Sequence, residues 1–182
     1  MSVQINDLLK NEYFNLVSKE NRNFVLGFDK EMQKSGFEIS NKEYNNSYWG
    51  TNVNYSKANV KSKKNVARIF IIENNDISLR LFFAEKDIDK NMKYIENTPS
   101  HIKLPFLNDQ GLCKGCSGEN GWCHNRKIYT VNGLKIKKCG YVFTFTNPKM
   151  EHIKDFVDIL MEFYAKKLKK VIIPNKNKTN CT

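Results

Sequence analysis

The chain has 182 residues, 40% of them hydrophobic and 12% aromatic, which is enough apolar surface for one folded domain and excludes a wholly disordered protein. No apolar run approaches the roughly 18 residues of a membrane span, and the start lacks the pattern of a signal peptide, so we expect a cytoplasmic protein with no membrane partner. The net charge is +11, but all except four of the 30 basic residues are lysine, a bias that A/T-rich coding also produces.

The first third of the chain predicts two helices and a strand. Apolar residues at helical spacing indicate one helix over residues 5–17 and a better-marked one over 23–35. Gly36 then supplies the left-handed residue that commonly ends a helix. Residues 49–56 are expected to form a strand.

Residues 66–84 predict a β-hairpin, the clearest one in the sequence. The loop is expected at residues 74–76. Because successive side chains of a strand point to opposite faces, one face of this hairpin is apolar and is expected to pack in the core. That face consists of Ala67, Ile69, Ile71, Ile77, Leu79, Leu81 and Phe83.

The opposite face of this hairpin holds a candidate binding site formed by Arg68, Phe70, Arg80 and Phe82. In the predicted register each arginine lies across from a phenylalanine, Arg68 from Phe82 and Arg80 from Phe70. A planar guanidinium contacts carboxylates and phosphates in a bidentate manner and stacks on rings, so this face is a candidate for binding an anionic small molecule or nucleic acid. The lysines of residues 60–64 would extend this surface. The structural alternative is that both arginines stack on the rings and pair with acidic residues of a packed helix.

The remaining predicted helices follow this hairpin. Short helices are expected over residues 88–97 and 100–107. Asn147 is expected to cap, and Pro148 to open, a longer C-terminal helix with a continuous apolar stripe. Residues 175–182 are rich in lysine and asparagine and predict a flexible tail.

A second hairpin is predicted within residues 127–146. The pair Asn132-Gly133 favours a type I′ turn, which fixes the pairing of the two strands. The apolar positions then change parity along the second strand. This change indicates a β-bulge near Cys139, which would re-aim the cysteine side chain.

Four of the five cysteines fall in one segment, residues 113–139, and these are Cys113, Cys116, Cys123 and Cys139. A CxxC pair and a second pair supplied across a hairpin are typical ligands of small zinc ribbons, so we expect one structural zinc ion held by all four thiolates. His124, beside Cys123, is the alternative fourth ligand. A redox-active CxxC and unrelated buried thiols are the other interpretations.

Several segments resemble a family of small uncharacterised bacterial proteins that have a C-terminal four-cysteine segment, a domain of unknown function. They are NYSKANVKSKKNVARIFI, ISLRLFF, IDKNMKYIENTPSHIK and the cysteine segment that runs to FTNP. The resemblance covers residues 24–164. It implies a single α+β domain and carries over no catalytic residue.

These patterns predict one α+β domain over residues 1–174 with a zinc-ribbon-like hairpin. Its antiparallel sheet, packed by helices, is expected to contain the 66–84 hairpin, the strands of residues 127–146 and the strand of residues 49–56. The predicted function is that of a non-enzymatic, zinc-stabilised binding or regulatory module for an anionic partner or ligand. The alternative is an enzyme that acts on a small anionic substrate at Arg68 and Arg80. The sequence shows no recognisable pair of a nucleophile and a base, and no motif of a metal site with an open coordination position, that would support an enzyme. His101 and His152 stand singly on predicted helices.

Overall fold

The fold combines an antiparallel sheet with helices, as predicted. The computed structural model describes residues 5–8, 12–40, 46–47, 50–61, 64–71, 76–107 and 126–164. Its helices are α1 (Ile5–Leu8), α2 (Glu12–Leu16), α3 (Lys19–Lys34), α4 (Glu85–Glu96), α5 (Ser100–Leu107) and α6 (Ile153–Tyr164). Its strands are β1 (Phe37–Ile39), β2 (Asn46–Ser47), β3 (Gly50–Lys57), β4 (Ala67–Ile71), β5 (Ile77–Leu81), β6 (Arg126–Val131), β7 (Leu134–Cys139) and β8 (Thr144–Thr146). None of the helices in these ranges is long and apolar enough to span a membrane.

The strands form two separate antiparallel sheets. The main sheet has the order β1-β3-β4-β5-β8, and the short strand β2 pairs with β3. Among the strands that the structure describes, β6 and β7 pair only with each other, in a second sheet. The predicted inclusion of the whole 127–146 segment in the main sheet is therefore wrong, because only β8 joins it, beside β5.

Helix α3 shows how local sequence sets the boundaries of an element. The Ser18 side chain accepts a hydrogen bond of 3.2 Å from the Asn21 N–H, so the helix begins four residues before the predicted start at residue 23. At the other end Gly36 has a φ of +80°, which confirms the predicted left-handed stop. Over residues 5–17, predicted as one helix, the structure describes the two short helices α1 and α2.

The core lies between one face of the main sheet and helices α3 and α6. The predicted apolar face of the β4–β5 hairpin is confirmed, since all seven of its residues are buried. Aromatic side chains of α3 and α6 belong to the same core as these strand residues. The two helices also contact each other, with the Phe24 and Phe156 ring centroids 6.4 Å apart. A Cβ at Gly27 would lie 2.9 Å from Ile153 Cδ1, so a glycine allows the two helices to approach closely.

The register of the β4–β5 hairpin differs from the prediction by two residues. Arg68 is the cross-strand partner of Arg80, and Phe70 is the partner of Ser78. The predicted pairing of each arginine with a phenylalanine is therefore wrong. A shift of two residues leaves every side chain on its face, so the alternation that defined the core face could not distinguish the two registers.

The second hairpin has the predicted turn but not the predicted bulge. Asn132 and Gly133 have φ values of 49° and 78°, as a type I′ turn requires, and Val131 pairs with Leu134. The change of parity after Cys139 comes instead from a 3₁₀ turn, Gly140–Phe143, which carries the chain from β7 to β8. A turn satisfies the apolar pattern equally well because it also resets which face the next strand presents.

The hairpin β6–β7 is docked on the C-terminal end of α5. Tyr129 Oη donates to the Phe106 carbonyl at 2.8 Å, and Lys138 Nζ donates to the Pro105 carbonyl at 3.1 Å. The last carbonyls of a helix have no partner within it, so these two side chains satisfy acceptors at the helix end. Lys138 is fully buried at this contact.

The C-terminal helix begins later than predicted. Asn147 has a φ of 43°, and a 3₁₀ turn, Met150–His152, precedes α6. Asn147 does not cap the helix. Its Oδ1 accepts hydrogen bonds from the Ile77 N–H at 3.0 Å and from Asn21 Nδ2 at 3.1 Å, so Asn147 joins α3 to the first residue of β5.

Candidate functional site

The four residues of the predicted binding face form one cluster around two rings. The guanidinium carbon of Arg68 lies 5.5 Å from the centre of the Phe70 ring and 5.7 Å from that of Phe82. The guanidinium carbon of Arg80 lies 5.1 Å from the centre of the Phe82 ring. These are cation–π distances, so the predicted contact of Arg68 with Phe82 is present, whereas Arg80 lies over Phe82 and not, as predicted, over Phe70. Arg68 Nε also donates to Asn54 Oδ1.

This face of the sheet is largely closed to solvent. Arg80 is 7% exposed, and Ser56 and Ser78 on the same face are also buried. Arg68, Phe70 and Phe82 are half-buried. The face is therefore not an open platform at Arg80.

A cleft opens beside the last residues of β5. It has a volume of about 280 Å³. Its lining residues are Lys64, Asn65, Arg80, Leu81, Phe82, Phe83, Ala84, Lys86, Asp87, Lys127, Gly140, Phe143 and Tyr164. Of the predicted site residues, Arg80 and Phe82 are in this set and Arg68 and Phe70 are not.

The cleft is strongly basic. Four of its lining residues carry a positive charge, namely Lys64, Arg80, Lys86 and Lys127, whereas Asp87 is the one acidic residue in the set. Lys64 and Lys86 are exposed, and Lys127 is half-buried. The formal charge of the described lining is therefore +3. Such a concentration of one sign in a concave site favours an anionic ligand.

Separate parts of the chain bring these residues together. The Phe82 N–H donates to the Val66 carbonyl at 3.0 Å, which holds Lys64 and Asn65 beside the end of β5. Helix α4 starts directly afterwards and contributes Lys86 and Asp87. The Thr130 N–H donates to Asp89 Oδ1 at 2.8 Å, so β6 lies against α4. That contact places Lys127, also on β6, at the cleft.

Tyr164 closes one side of the cleft and stays protonated. Its hydroxyl donates to the Phe82 carbonyl, which ties α6 to the end of the hairpin. Burial, and secondly the charge of Asp87, raise the pKa of Tyr164 well above its usual value of 10.0. The phenol is therefore a neutral hydrogen-bonding group at neutral pH.

The structure describes one of the predicted zinc ligands. Cys139 is buried at the end of β7 and forms no disulfide with a described residue, and its cross-strand partner is Arg126 at the start of β6. Cys113, Cys116 and Cys123 lie outside the described residues, as does His124. Among the residues that are described, no three His, Cys, Asp or Glu side chains are grouped so as to hold a metal ion.

A second cluster of titratable groups joins α5 to α6. The rings of His101 and His152 are stacked with their centroids 3.8 Å apart, so these histidines are not isolated as the sequence suggested. His101 Nε2 lies 3.0 Å from Asp155 Oδ2, and His152 Nε2 lies 3.5 Å from Glu151 Oε1. Burial, and then the neighbouring His152, lower the pKa of His101 below its usual 6.5.

Four important residues of the cleft were not identified from the sequence: Lys86, Asp87, Lys127 and Tyr164. Lys64 belongs to the lysine run that was expected to extend the anion-binding surface.

Comparisons of the chain with protein-family models, with curated proteins and with solved structures find no match. The functional argument therefore depends on the geometry and charge of the cleft.

Proposed function

We propose that the protein is a non-enzymatic binding module that holds a small anionic ligand in the basic cleft and is stabilised by a structural zinc ion. The observation that carries the first part is the convergence of Arg80 and three lysines on one cleft of about 280 Å³. Arg80 contributes most to specificity because its guanidinium is buried and fixed against the Phe82 ring. A charged hydrogen bond in a partly desolvated site is stronger than one on the open surface.

The size of the cleft favours a small ligand over a polymer. Pockets for small molecules span roughly 300–1,000 Å³, so the cleft, at about 280 Å³, is at the lower limit and holds one compact molecule. A nucleic acid would instead meet the exposed lysines, and its affinity would fall steeply with salt, by about one power of salt concentration per phosphate contact. A ligand within the cleft depends much less on salt.

Thermal unfolding at constant ionic strength tests this function. Sulfate, phosphate, pyrophosphate and citrate are compared with chloride, and at least one is expected to raise the melting temperature in a saturable way. Lys86→Gln should weaken this effect. Lys90→Gln removes the same charge from the same helix one turn further on, outside the cleft, and should leave it unchanged. Equal effects of the two variants, or no saturable stabilisation by any anion, would contradict the proposal.

The zinc site is proposed from the position of Cys139. Cys123 lies three residues before Arg126, and three residues of chain reach at most about 11 Å. Since Arg126 pairs directly with Cys139, a thiolate at residue 123 is within reach of a metal bound at Cys139. Cys113 and Cys116 would supply the other two ligands, with His124 as the alternative to Cys123.

Elemental analysis of reduced protein, purified without chelator, tests the zinc site. We expect about one zinc per chain in the unaltered protein and a large loss in Cys139→Ser. Cys181→Ser, which changes the one cysteine outside the cluster, is the matched control and should retain zinc. Less than about half an equivalent in undamaged protein would overturn this part of the proposal.

An enzyme acting on a small anionic substrate would use the same cleft. The one observation that favours it is that the carboxylate of Asp87 and the phenol of Tyr164, two groups that can exchange protons with a substrate, line the same cleft. Incubation of the protein with a ligand that it binds separates the two functions. A binding module returns the ligand unchanged, whereas an enzyme produces a new compound in amounts that exceed the protein.

A further inference from the structure

We infer that the ligand of the basic cleft is a small phosphate monoester whose organic part carries hydroxyl groups, as a sugar phosphate does. This inference rests on the proposed anion-binding function and makes it specific. It follows from three properties of the lining residues: the amount of positive charge, a single carboxylate within that charge, and an apolar wall beside it.

The positive charge of the cleft matches a phosphate better than a single carboxylate. A phosphate monoester carries between one and two negative charges near neutral pH and offers three acceptor oxygens. The described lining supplies four cationic side chains, one of them the planar fork of Arg80. An arginine and several lysines around one anion are the arrangement that phosphate recognition uses, because the fork binds two oxygens and the ammonium groups neutralise the rest.

The start of α4 adds backbone donors to the same wall. Its N-cap residue is Ala84, which has no side-chain oxygen to accept from the first N–H groups of this 12-residue helix. The N–H groups of Asp87 and Ile88 both donate to the Ala84 carbonyl, at 3.0 and 3.1 Å. Those of Glu85 and Lys86 have no acceptor within the helix. Glu85 and Asp87 already place negative charge at the positive end of the helix dipole, so the dipole adds little attraction for a phosphate. The side-chain cations therefore supply the main attraction, and the backbone N–H groups at the helix end only orient the phosphate.

Asp87 indicates what the rest of the ligand must provide. A carboxylate beside a bound phosphate repels it, and a hydrogen bond donated by the ligand to that carboxylate would offset the repulsion. A sugar hydroxyl is such a donor, and the phenol of Tyr164 lines the same cleft as Asp87. Phe82 and Phe143 form an apolar wall against which the carbon skeleton would pack. A plain anion uses the lysines and Arg80 but gains nothing from Asp87.

Calorimetric titration at constant ionic strength tests the inference with three probes: ribose 5-phosphate, inorganic phosphate and butyl phosphate. The unaltered protein should bind ribose 5-phosphate about tenfold more tightly than the other two, since only its organic part carries alcohol hydroxyl groups that can donate to Asp87 while the phosphate stays on the cations. Asp87→Asn should reduce this advantage severalfold, because a neutral amide oxygen accepts more weakly than a carboxylate, while binding of inorganic phosphate stays equal or becomes tighter. Glu96→Gln, the same kind of change at the far end of α4, is the control and should alter neither affinity.

The outcomes separate the inference from the proposed function. If none of the probes binds and no other anion does, both fail. If anions bind but ribose 5-phosphate has no advantage over butyl phosphate in the unaltered protein, the inference is overturned and the proposed function stands. The inference is likewise overturned, and the proposed function stands, if Asp87→Asn weakens the binding of inorganic phosphate and of ribose 5-phosphate equally. The comparison of probes on the unaltered protein decides the matter even if the variant does not fold.

Discussion

Arg68 and Arg80 are direct cross-strand partners, and their guanidinium carbons lie 5.7 and 5.1 Å from the centre of the same Phe82 ring. Two like charges opposite each other on adjacent strands are unfavourable by themselves. The ring offsets part of that cost, and Asn54 accepts a hydrogen bond from Arg68. The pair nevertheless divides in role, because only Arg80 lines the cleft.

Arg68→Lys should destabilise the protein without changing anion binding. Lysine keeps the charge but loses the planar stacking and the bond from Nε to Asn54. We expect a loss of about 1 kcal/mol in the free energy of unfolding, measured with urea. The affinity for inorganic phosphate should stay within about twofold of the original. A large loss of affinity would show that Arg68 contacts the ligand.

Arg80→Lys is the complementary change and should weaken anion binding. The charge stays, but a lysine cannot bind two oxygens of one phosphate in a planar fork. We expect the affinity for inorganic phosphate to fall about tenfold by calorimetry. Unchanged binding in folded Arg80→Lys would mean that the arginines of the hairpin are purely structural.

The stability of the protein should fall as the pH is lowered through the range in which histidine titrates. Burial and the stacked His152 hold the pKa of folded His101 below its usual 6.5, so the unfolded chain binds more protons there. The contribution of His101 is fully present above about pH 6.5 and is lost as the pH falls through the lower, folded value. Urea unfolding between about pH 7.5 and 5.5 measures this. His101→Gln should flatten the dependence, and an equally steep curve in that variant would contradict the assignment.

Gly36→Ala should destabilise α3 through the backbone alone. The φ of Gly36 is +80°, and a Cβ at this position would meet no atom within 4 Å. The expected cost is therefore the strain of a left-handed alanine, about 1 kcal/mol in urea unfolding. Gly36→Asn should recover part of the loss, since asparagine tolerates this conformation. A neutral Gly36→Ala would show that the helix ends in another way.

Local patterns predicted the core face well and the cross-strand neighbours poorly. Alternation along residues 66–84 identified every residue of the apolar β4–β5 face, because the face on which a side chain lies depends on parity. The pairing of Arg68 with Arg80 depends on the length of the loop, and parity contains no information about it. The Asn132-Gly133 turn was predictable because both of its positive φ values require those residue types.

The cleft could not be assembled from the sequence. Its charged residues come from the loop before β4, from β5, from the first turn of α4 and from β6. Only tertiary contacts, such as the hydrogen bond from the Thr130 N–H to Asp89, bring β6 to α4. The stacking of His101 on His152 likewise joins two helices that lie far apart in the chain. Single lysines and histidines spaced in this way show no pattern in the sequence.

The central claim is that the basic cleft binds a small anion. The most direct test is to titrate the protein with pyrophosphate at constant ionic strength and to monitor the NMR chemical shifts of the backbone amides. We expect saturable shifts at residues 64–65 and 82–87 and at Lys127. The exposed Lys135 and Lys137, on the outer face of the β6–β7 hairpin, should not respond. Shifts spread evenly over the exposed lysines, or none at the cleft, would contradict the claim.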